Sequence, residues 1–95
     1  MGVSLSLSSR VKVADDTLFQ ELSGETVLLE LSRGVYYGLD EVGTRIWSLL
    51  ADGRSLEETV DVLVEEYDVD RARGAADVLR LVGELEARRL LEIRR

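Results

Sequence analysis

The chain has 95 residues, of which 45% are hydrophobic and 33% are charged, and its net charge is −7. A chain of this length and composition makes one domain with one hydrophobic core. It contains no cysteine and no histidine, so disulfides and thiolate metal sites are excluded and the commonest general base is missing. The negative charge disfavours nucleic acid as a partner, because nucleic-acid affinity rests largely on phosphate contacts, and favours a basic or amphipathic partner.

The sequence contains no apolar run of about eighteen residues, and no basic start precedes an apolar stretch. It therefore predicts a cytoplasmic protein without a membrane partner. Enzymatic activity is disfavoured as well, since the sequence lacks histidine, cysteine and a glycine-rich phosphate loop. We expect no catalytic residue, no metal and no cofactor.

Residues 1–16 are predicted to form an N-terminal arm, and residues 17–95 are predicted to form the domain. Within the arm, residues 3–7 (VSLSL) alternate apolar and polar side chains, which is typical of a short strand. Because serines dominate and chain ends fray, a loose terminus is the alternative. Residues 11–13 (VKV) form a further short extended segment.

Three strands are predicted next, at residues 17–22 (TLFQEL), 26–31 (TVLLEL) and 35–39 (VYYGL). The turns between them, SGE and a three-residue SRG loop, contain Gly24 and Gly34, which can adopt the positive φ that hairpin turns require. Alternation places Val27, Leu29 and Leu31 on one face of the second strand. Two short turns in succession predict an antiparallel meander.

Three helices follow the strands. Asp40, Ser55 and Asp70 are predicted N-caps, and Ser55 forms a capping box with Glu58. Gly53 is predicted to cap the end of the first helix. The apolar positions that recur at helical spacing are Val42, Ile46, Trp47, Leu49 and Leu50, then Leu56, Val60, Leu63, Val64 and Tyr67, then Ala75, Val78, Val82 and Leu85, with Leu79 at one edge.

This order, a three-stranded antiparallel meander followed by three helices, predicts an α+β fold that is winged-helix-like. The C-terminal Leu90, Leu91 and Ile93 are expected to dock on the core. The segment from Ile46 to Tyr67, two helices joined by a short glycine-containing turn, also suits a helix-turn-helix.

The third predicted strand lies at an edge if the sheet follows chain order. It has no proline or lysine to block pairing, and Gly38 lets another backbone approach. The alternatives, a short edge or an edge covered by the N-terminal arm, stay open. Tyr36 and Tyr37 lie on opposite faces, so at most one enters the core, and the other suits a binding groove or ordinary half-buried packing. Trp47 is predicted to belong to the core.

The third helix offers a second candidate surface. Leu81 lies off the predicted inward positions, beside Asp77 and Glu84 at helical spacing. These residues suit a groove for a ligand that carries a basic residue. A lone surface leucine with local ion pairs to Arg80 and Arg88 is the alternative.

Two stretches of the chain resemble one known family. They are VLLELSRGVYYGLDEVGTRIWSLLADGRSLEETVDVLVEEYDVD, residues 27–70, and DVLRLVGELEARRLLEI, residues 77–93. In order and spacing they are similar to the PqqD-like family, whose shared domain is called the RiPP recognition element, after ribosomally made, modified peptides. Within that family, the chain resembles in particular the standalone leader-binding proteins of lasso-peptide pathways. Asp40 stands where the family often has asparagine, and both residues cap helices well.

The resemblance implies a winged-helix-like fold, no enzymatic activity and a role in binding a precursor's leader peptide. In the family the leader lies as an added strand against the third strand, beside the third helix, which is β-augmentation. A standalone member would present the precursor to a separate leader peptidase or other modifying enzyme. The residues expected to bind the peptide are Gly34, Val35, Tyr36, Tyr37, Gly38, Asp77, Val78, Leu81 and Glu84.

Other functions remain open on the sequence. A winged-helix DNA-binding regulator fits the element order, but the second and third helices carry more acidic than basic residues, which is wrong for a groove-reading helix. A scaffold subunit for a peptidase, without peptide recognition of its own, would differ only in its partner. The edge strand could also pair two copies of the chain.

Overall fold

The computed structural model describes residues 6–94. Its elements are β1 (Arg10–Val13), β2 (Thr17–Leu22), β3 (Glu25–Glu30), β4 (Val35–Leu39), α1 (Glu41–Ala51), α2 (Leu56–Tyr67), α3 (Arg71–Ala87) and β5 (Leu91–Arg94). The predicted α+β order is confirmed. Most of the predicted strand at residues 3–7 lies outside the described residues, and Ser6–Ser9 form a turn closed by a 2.9 Å bond from Ser9 N to the Ser6 carbonyl.

Strands β2, β3 and β4 form the predicted antiparallel meander. Leu22 lies opposite Glu25, so only Ser23 and Gly24 connect β2 to β3. Their φ angles are 53° and 81°. Positive φ at both central positions is the requirement of the type I′ hairpin, whose twist matches that of the flanking strands.

The connection from β3 to β4 is one residue longer than predicted. Glu30 pairs with Val35, so four residues, 31–34, form the loop. Gly34 has the expected positive φ of 67°, and its N–H donates to the Glu30 carbonyl at 2.8 Å. The buried Glu30 carboxylate accepts from the Ser32 hydroxyl, from Ser32 N at 3.0 Å and from Arg33 Nε at 2.8 Å. These hydrogen bonds fix the conformation of the β3–β4 loop.

Glu30 makes folding sensitive to acid. The hydrogen bonds from Ser32 and Arg33 lower the pKa of Glu30 from 4.5 to about 2. A carboxylate with a depressed folded-state pKa stabilises the fold above its unfolded pKa, and that contribution is lost as the pH falls towards the folded value. We expect the Glu30→Gln variant to unfold more easily than the wild type near neutral pH. The difference should shrink between about pH 4.5 and pH 2. Urea unfolding of both proteins across that range measures it, and a constant difference would contradict the role of the charge.

All three predicted helix starts are confirmed. Asp40 Oδ1 accepts from Gly43 N at 2.8 Å, and Asp70 Oδ1 accepts from Arg73 N at 2.8 Å. At the start of α2, Ser55 and its partner three residues later form the reciprocal capping box. The C-cap of α1 is one residue earlier than predicted: it is Asp52, and Gly53 follows it with φ 94°. A glycine in the left-handed region just after the C-cap is a common helix ending.

The core lies between the inner face of the meander and the three helices. Its members include Leu28 and Leu39 from the sheet, Ile46 and Trp47 from α1, and Val82 from α3. The predicted core position of Trp47 is confirmed. The residues on β3 that face the core are Thr26, Leu28 and Glu30, so Val27 and Leu29 of the predicted row belong to the opposite, outer side, and Leu31 lies in the loop after β3.

The N-terminal and C-terminal segments pair with each other. β1 and β5 form a separate antiparallel ladder in which Val11 lies opposite Ile93 and Val13 lies opposite Leu91. Leu90 and Leu91 are buried as expected, and Ile93 is half-buried. The described part of the N-terminal segment therefore does not cover β4. None of the helices among residues 6–94 combines the length and the apolar composition that a membrane span requires.

Candidate functional site

The outer edge of β4 is open in the described part of the chain. The sheet order is β2-β3-β4, so β4 pairs on one side only. Because Leu22 and Glu25 flank a two-residue turn, they form a hydrogen-bonded pair, and such pairs recur at every second residue along an antiparallel ladder. The even-numbered residues of β3 therefore direct their N–H and C=O groups towards β4. Their partners are Val35, Tyr37 and Leu39.

It follows that Tyr36 and Gly38 direct their N–H and C=O groups towards the open edge. Gly38 adds no side chain there, and no heavy atom lies within 4 Å of the place where a Cβ would stand. The edge thus offers the N–H and C=O groups of two residues to another extended backbone. At the other edge of the sheet, on β2, the N–H and C=O groups of Phe19 and Glu21 point outwards in the same way.

A cleft lies beside this edge, between β4, the start of α1 and α3. Its volume is about 410 Å³. The start of α1 comes close to β4 because Asp40 caps the helix immediately after the strand ends. The residues that line the cleft are Tyr37, Gly38, Leu39, Asp40, Val42, Gly43, Ile46, Arg73, Asp77, Arg80 and Leu81.

The structure brings together only part of the predicted site. Tyr37, Gly38, Asp77 and Leu81 line the cleft. The remaining predicted residues do not line it: Gly34 lies in the loop before β4, Val35 and Tyr36 lie on β4 itself, Val78 is fully buried in the core, and Glu84 lies further along α3.

The prediction that Leu81 lies off the inward face of α3 is wrong. Its side chain is only 5% exposed and belongs to the same core cluster as Val78, Val82 and Leu85. The buried face of α3 is wider than the predicted row, because α3 packs against α2 on one side and against β5 on another. Leu81 still forms part of the cleft wall, so it combines a core position with a lining position.

The two acidic residues of α3 that were predicted to bind the ligand, Asp77 and Glu84, already have partners. Glu84 accepts a hydrogen bond from the Tyr37 hydroxyl and one of 3.4 Å from Arg80 Nη1, and Asp77 lies 3.9 Å from Arg73 Nε. The bond from Tyr37 lowers the pKa of Glu84, and the same bond raises the pKa of Tyr37. Glu84 therefore holds β4 to α3, which weakens the expectation that it attracts a basic residue of a ligand.

The link between β4 and α3 continues beyond Glu84. The guanidinium of Arg88 lies 4.7 Å from the centre of the Tyr37 ring, and Arg33 Nη2 donates to the Arg88 carbonyl at 2.8 Å. A cation over an aromatic face and a charge-assisted hydrogen bond both favour this arrangement. These contacts join the β3–β4 loop, β4 and the end of α3 next to the cleft, and so fix the distance between its two walls.

Replacing Tyr37 tests this link. The Tyr37→Phe variant keeps the ring and its contact with Arg88 but removes the hydroxyl that donates to Glu84. We expect the pKa of Glu84 to rise in the variant, because its largest lowering contact is gone. NMR titration of the side-chain carboxyl carbons measures this directly. Glu58, whose pKa is lowered by hydrogen bonds from Ser55, serves as the internal reference and should not change. An unaltered pKa at Glu84 would contradict the link.

Sequence reasoning missed the contribution of α1 and of Arg73 to the cleft. Val42, Gly43 and Ile46 line it because the Asp40 cap turns α1 back across the end of β4. On α3, Arg73, Asp77 and Arg80 recur at spacings of three and four, which places them on one helix face. That spacing is a signal in the sequence that would have found Arg73.

Comparisons with known proteins agree on one family. The model of the family described as coenzyme PQQ synthesis protein D (PqqD) matches residues 25–91. A curated relative from Rhizobium meliloti (strain 1021), named PqqA binding protein, is 34% identical over 91 residues, which are 94% of this chain and 91% of the relative.

Two solved structures share the fold. TbiB1 in complex with the TbiA(beta) leader peptide is 43% identical and superposes with a TM-score of 0.83, covering 85% of this chain and 94% of that one. A lasso peptide synthetase B1 complexed with the leader peptide has a TM-score of 0.81 over 87% of this chain and 98% of that one, and at 24% identity it supports the fold alone. With a family match across residues 25–91 and a relative aligned over nearly its whole length, the chain belongs to the PqqD family.

Proposed function

We propose that the chain binds the leader peptide of a ribosomally made precursor, as a strand added to β4. The observation that carries this proposal is the open edge of β4 beside a cleft walled by α3. The similarity to TbiB1, whose structure was solved with a leader peptide, supports the same reading. Leader recognition in a lasso-type pathway is the reading we favour.

The backbone of the leader would pair with Tyr36 and Gly38. Their outward N–H and C=O groups are those that an added strand needs, and main-chain bonds of this kind give affinity with little dependence on sequence. Selectivity would come from alternate leader side chains, because every second one points towards the cleft. Gly34 and Val35 would contact the end of the added strand.

The cleft would take apolar leader side chains at its centre. Val42, Ile46 and Leu81 supply apolar wall there, and Arg73 and Arg80 stand on the α3 side. Both arginine side chains are largely exposed, and each is only loosely paired with a carboxylate, at 3.9 Å and 3.4 Å. A leader side chain with a hydrogen-bond acceptor would therefore find a donor on this wall.

The chain would act as a binding partner and present the captured precursor to a separate enzyme, a leader peptidase in the favoured pathway. This assignment places the protein in the cytoplasm, where precursor peptides are translated. It needs no cofactor and no metal. A scaffold without peptide recognition would bind the enzyme but not the leader, which makes leader binding the property to test.

Fluorescence polarisation tests the proposal. A labelled leader, taken from the precursor gene beside the gene of this chain, is titrated with the purified protein, and a scrambled leader of the same composition is the control. We expect saturable binding of the leader and none of the scrambled peptide. Equal binding of the two peptides, or no binding with and without the neighbouring modifying enzyme, would overturn leader recognition.

A further inference from the structure

The meander has a second face, turned away from the helices. In the registers of the two hairpins, Leu18, Leu29 and Tyr36 form one row across the three strands, and Gln20, Val27 and Gly38 form the next. We call this surface the outer sheet face. Its members are Leu18, Gln20, Leu22, Glu25, Val27, Leu29, Tyr36 and Gly38, and Glu25 lies at its end, beside the β2–β3 turn.

The outer sheet face is apolar and exposed within the described residues. Leu18 is 56% exposed, Leu22 63%, Val27 49% and Tyr36 70%. A third of the chain is charged, yet the two rows that cross all three strands carry no charge, and Glu25, opposite Leu22, is the one charged residue of the face. The solvated face of an antiparallel sheet normally carries polar side chains, and contiguous exposed apolar patches mark interaction sites. The composition of this face therefore indicates that another surface covers it.

A second copy of the chain fits this face poorly. Two copies stacked face to face would bring their borders together. The two ends of the face carry carboxylates: Asp16 lies before β2 and Glu25 lies opposite Leu22, whereas Asp15 is paired with Lys12 at 3.7 Å. The charge of −7 on each copy opposes that contact further.

The outer sheet face is continuous with the open edge of β4. Tyr36 and Gly38 belong to both surfaces. The Tyr36 side chain and the Cα of Gly38 lie on the outer sheet face, and the N–H and C=O groups of both residues point to the edge. A strand added at that edge turns every second side chain outwards. The bound leader would therefore form a fourth strand that extends the rows of the outer sheet face, and a partner that covers the face would contact the chain and the leader together.

We propose that the outer sheet face is the docking surface for the enzyme that modifies the bound precursor. This proposal rests on the proposed function, because it names the surface through which that enzyme is recruited. The enzyme would carry an apolar patch bordered by basic residues, which complement the apolar rows and their acidic border. Docking across both the face and the added strand would strengthen the binding of the enzyme when a leader is bound.

Two threonine substitutions test the docking surface. In the Leu18→Thr/Val27→Thr variant the face loses apolar area, but threonine suits strands and both positions are half-exposed, so the fold is retained. The matched control is Val62→Thr, the same chemical change at a half-buried position on α2. Far-UV circular dichroism checks the fold of each variant. Leader affinity is measured by polarisation, and the affinity for the modifying enzyme encoded beside the gene is measured by biolayer interferometry with the leader bound.

We expect the double variant to bind the enzyme roughly tenfold or more weakly, since apolar anchors at an interface centre carry much of its affinity. Leader affinity should stay within about twofold, and Val62→Thr should change neither. Unchanged enzyme affinity in a folded double variant would overturn the proposal. So would a dimer that sedimentation detects in the wild type and that the double variant abolishes while enzyme binding stays intact, because the face would then belong to a second copy.

The same experiment separates this proposal from the proposed function. If the leader does not bind the wild type, leader recognition fails, and the enzyme is then titrated against the chain alone. A loss of enzyme affinity in the double variant under those conditions would still support the docking surface. An equal affinity of wild type and double variant would overturn it.

Discussion

Placing a proline at Tyr36 is expected to abolish most leader binding while leaving the protein folded. The Tyr36 N–H points to the open edge, so its loss removes a donor to the leader and breaks no bond between β3 and β4. The proline ring also occupies the space that an added backbone needs. Proline is tolerated on edge strands when the missing N–H faces outwards. We expect a fall in leader affinity of roughly tenfold or more, measured by polarisation.

Glu21→Pro is the matched control for this experiment. Glu21 occupies the equivalent outward-pointing position on the other edge of the sheet, on β2. Its substitution imposes the same backbone restriction far from the cleft, and leader affinity should stay at the wild-type value. Tyr37→Pro gives the opposite comparison, because it removes a bond inside the ladder and should unfold the hairpin. Equal loss of binding in the Tyr36 and Glu21 variants, with both folded, would show that the leader does not depend on the edge of β4.

Truncating Leu81 to alanine is expected to destabilise the protein strongly. The side chain is buried among Val78, Val82 and Leu85, and removing a buried leucine side chain costs about 2–5 kcal/mol of unfolding free energy. Urea unfolding measures this as a lower midpoint with an unchanged slope. Leu79→Ala, on the same helix but only half-buried, is the control and should cost clearly less. A cost below about 0.5 kcal/mol for Leu81→Ala, as at a surface position, would contradict the buried placement.

The local features of the fold could be predicted because neighbouring residues determine them. The Ser23–Gly24 turn follows from a glycine that accepts positive φ between two apolar strands. The helix starts follow from Asp40, Ser55 and Asp70, whose side chains need only backbone N–H groups two or three residues away. The open edge of β4 was predictable for the same reason, since two short turns in succession leave the third strand outermost.

The features that sequence reasoning missed depend on contacts between distant segments. Helical spacing predicts Leu81 off the inward row of α3, but α3 contacts both α2 and β5, so its buried face is wider than that row. The pairing of β1 with β5 joins the two ends of the described chain, and no local pattern specifies it. The engagement of Glu84 by Tyr37 spans 47 positions, so a carboxylate that seemed available to a ligand is already bonded within the fold.

Amide hydrogen exchange, measured by NMR on the protein alone and saturated with leader, tests β-augmentation at β4 residue by residue. We expect the Tyr36 and Gly38 amides to exchange rapidly in the free chain and to become protected in the complex, because only then do they donate to another strand. The outward amides of Phe19 and Glu21 on β2 should exchange at the same rate in both states. Protection that appears at β2, or nowhere along β4 in a fully bound complex, would contradict β-augmentation at β4.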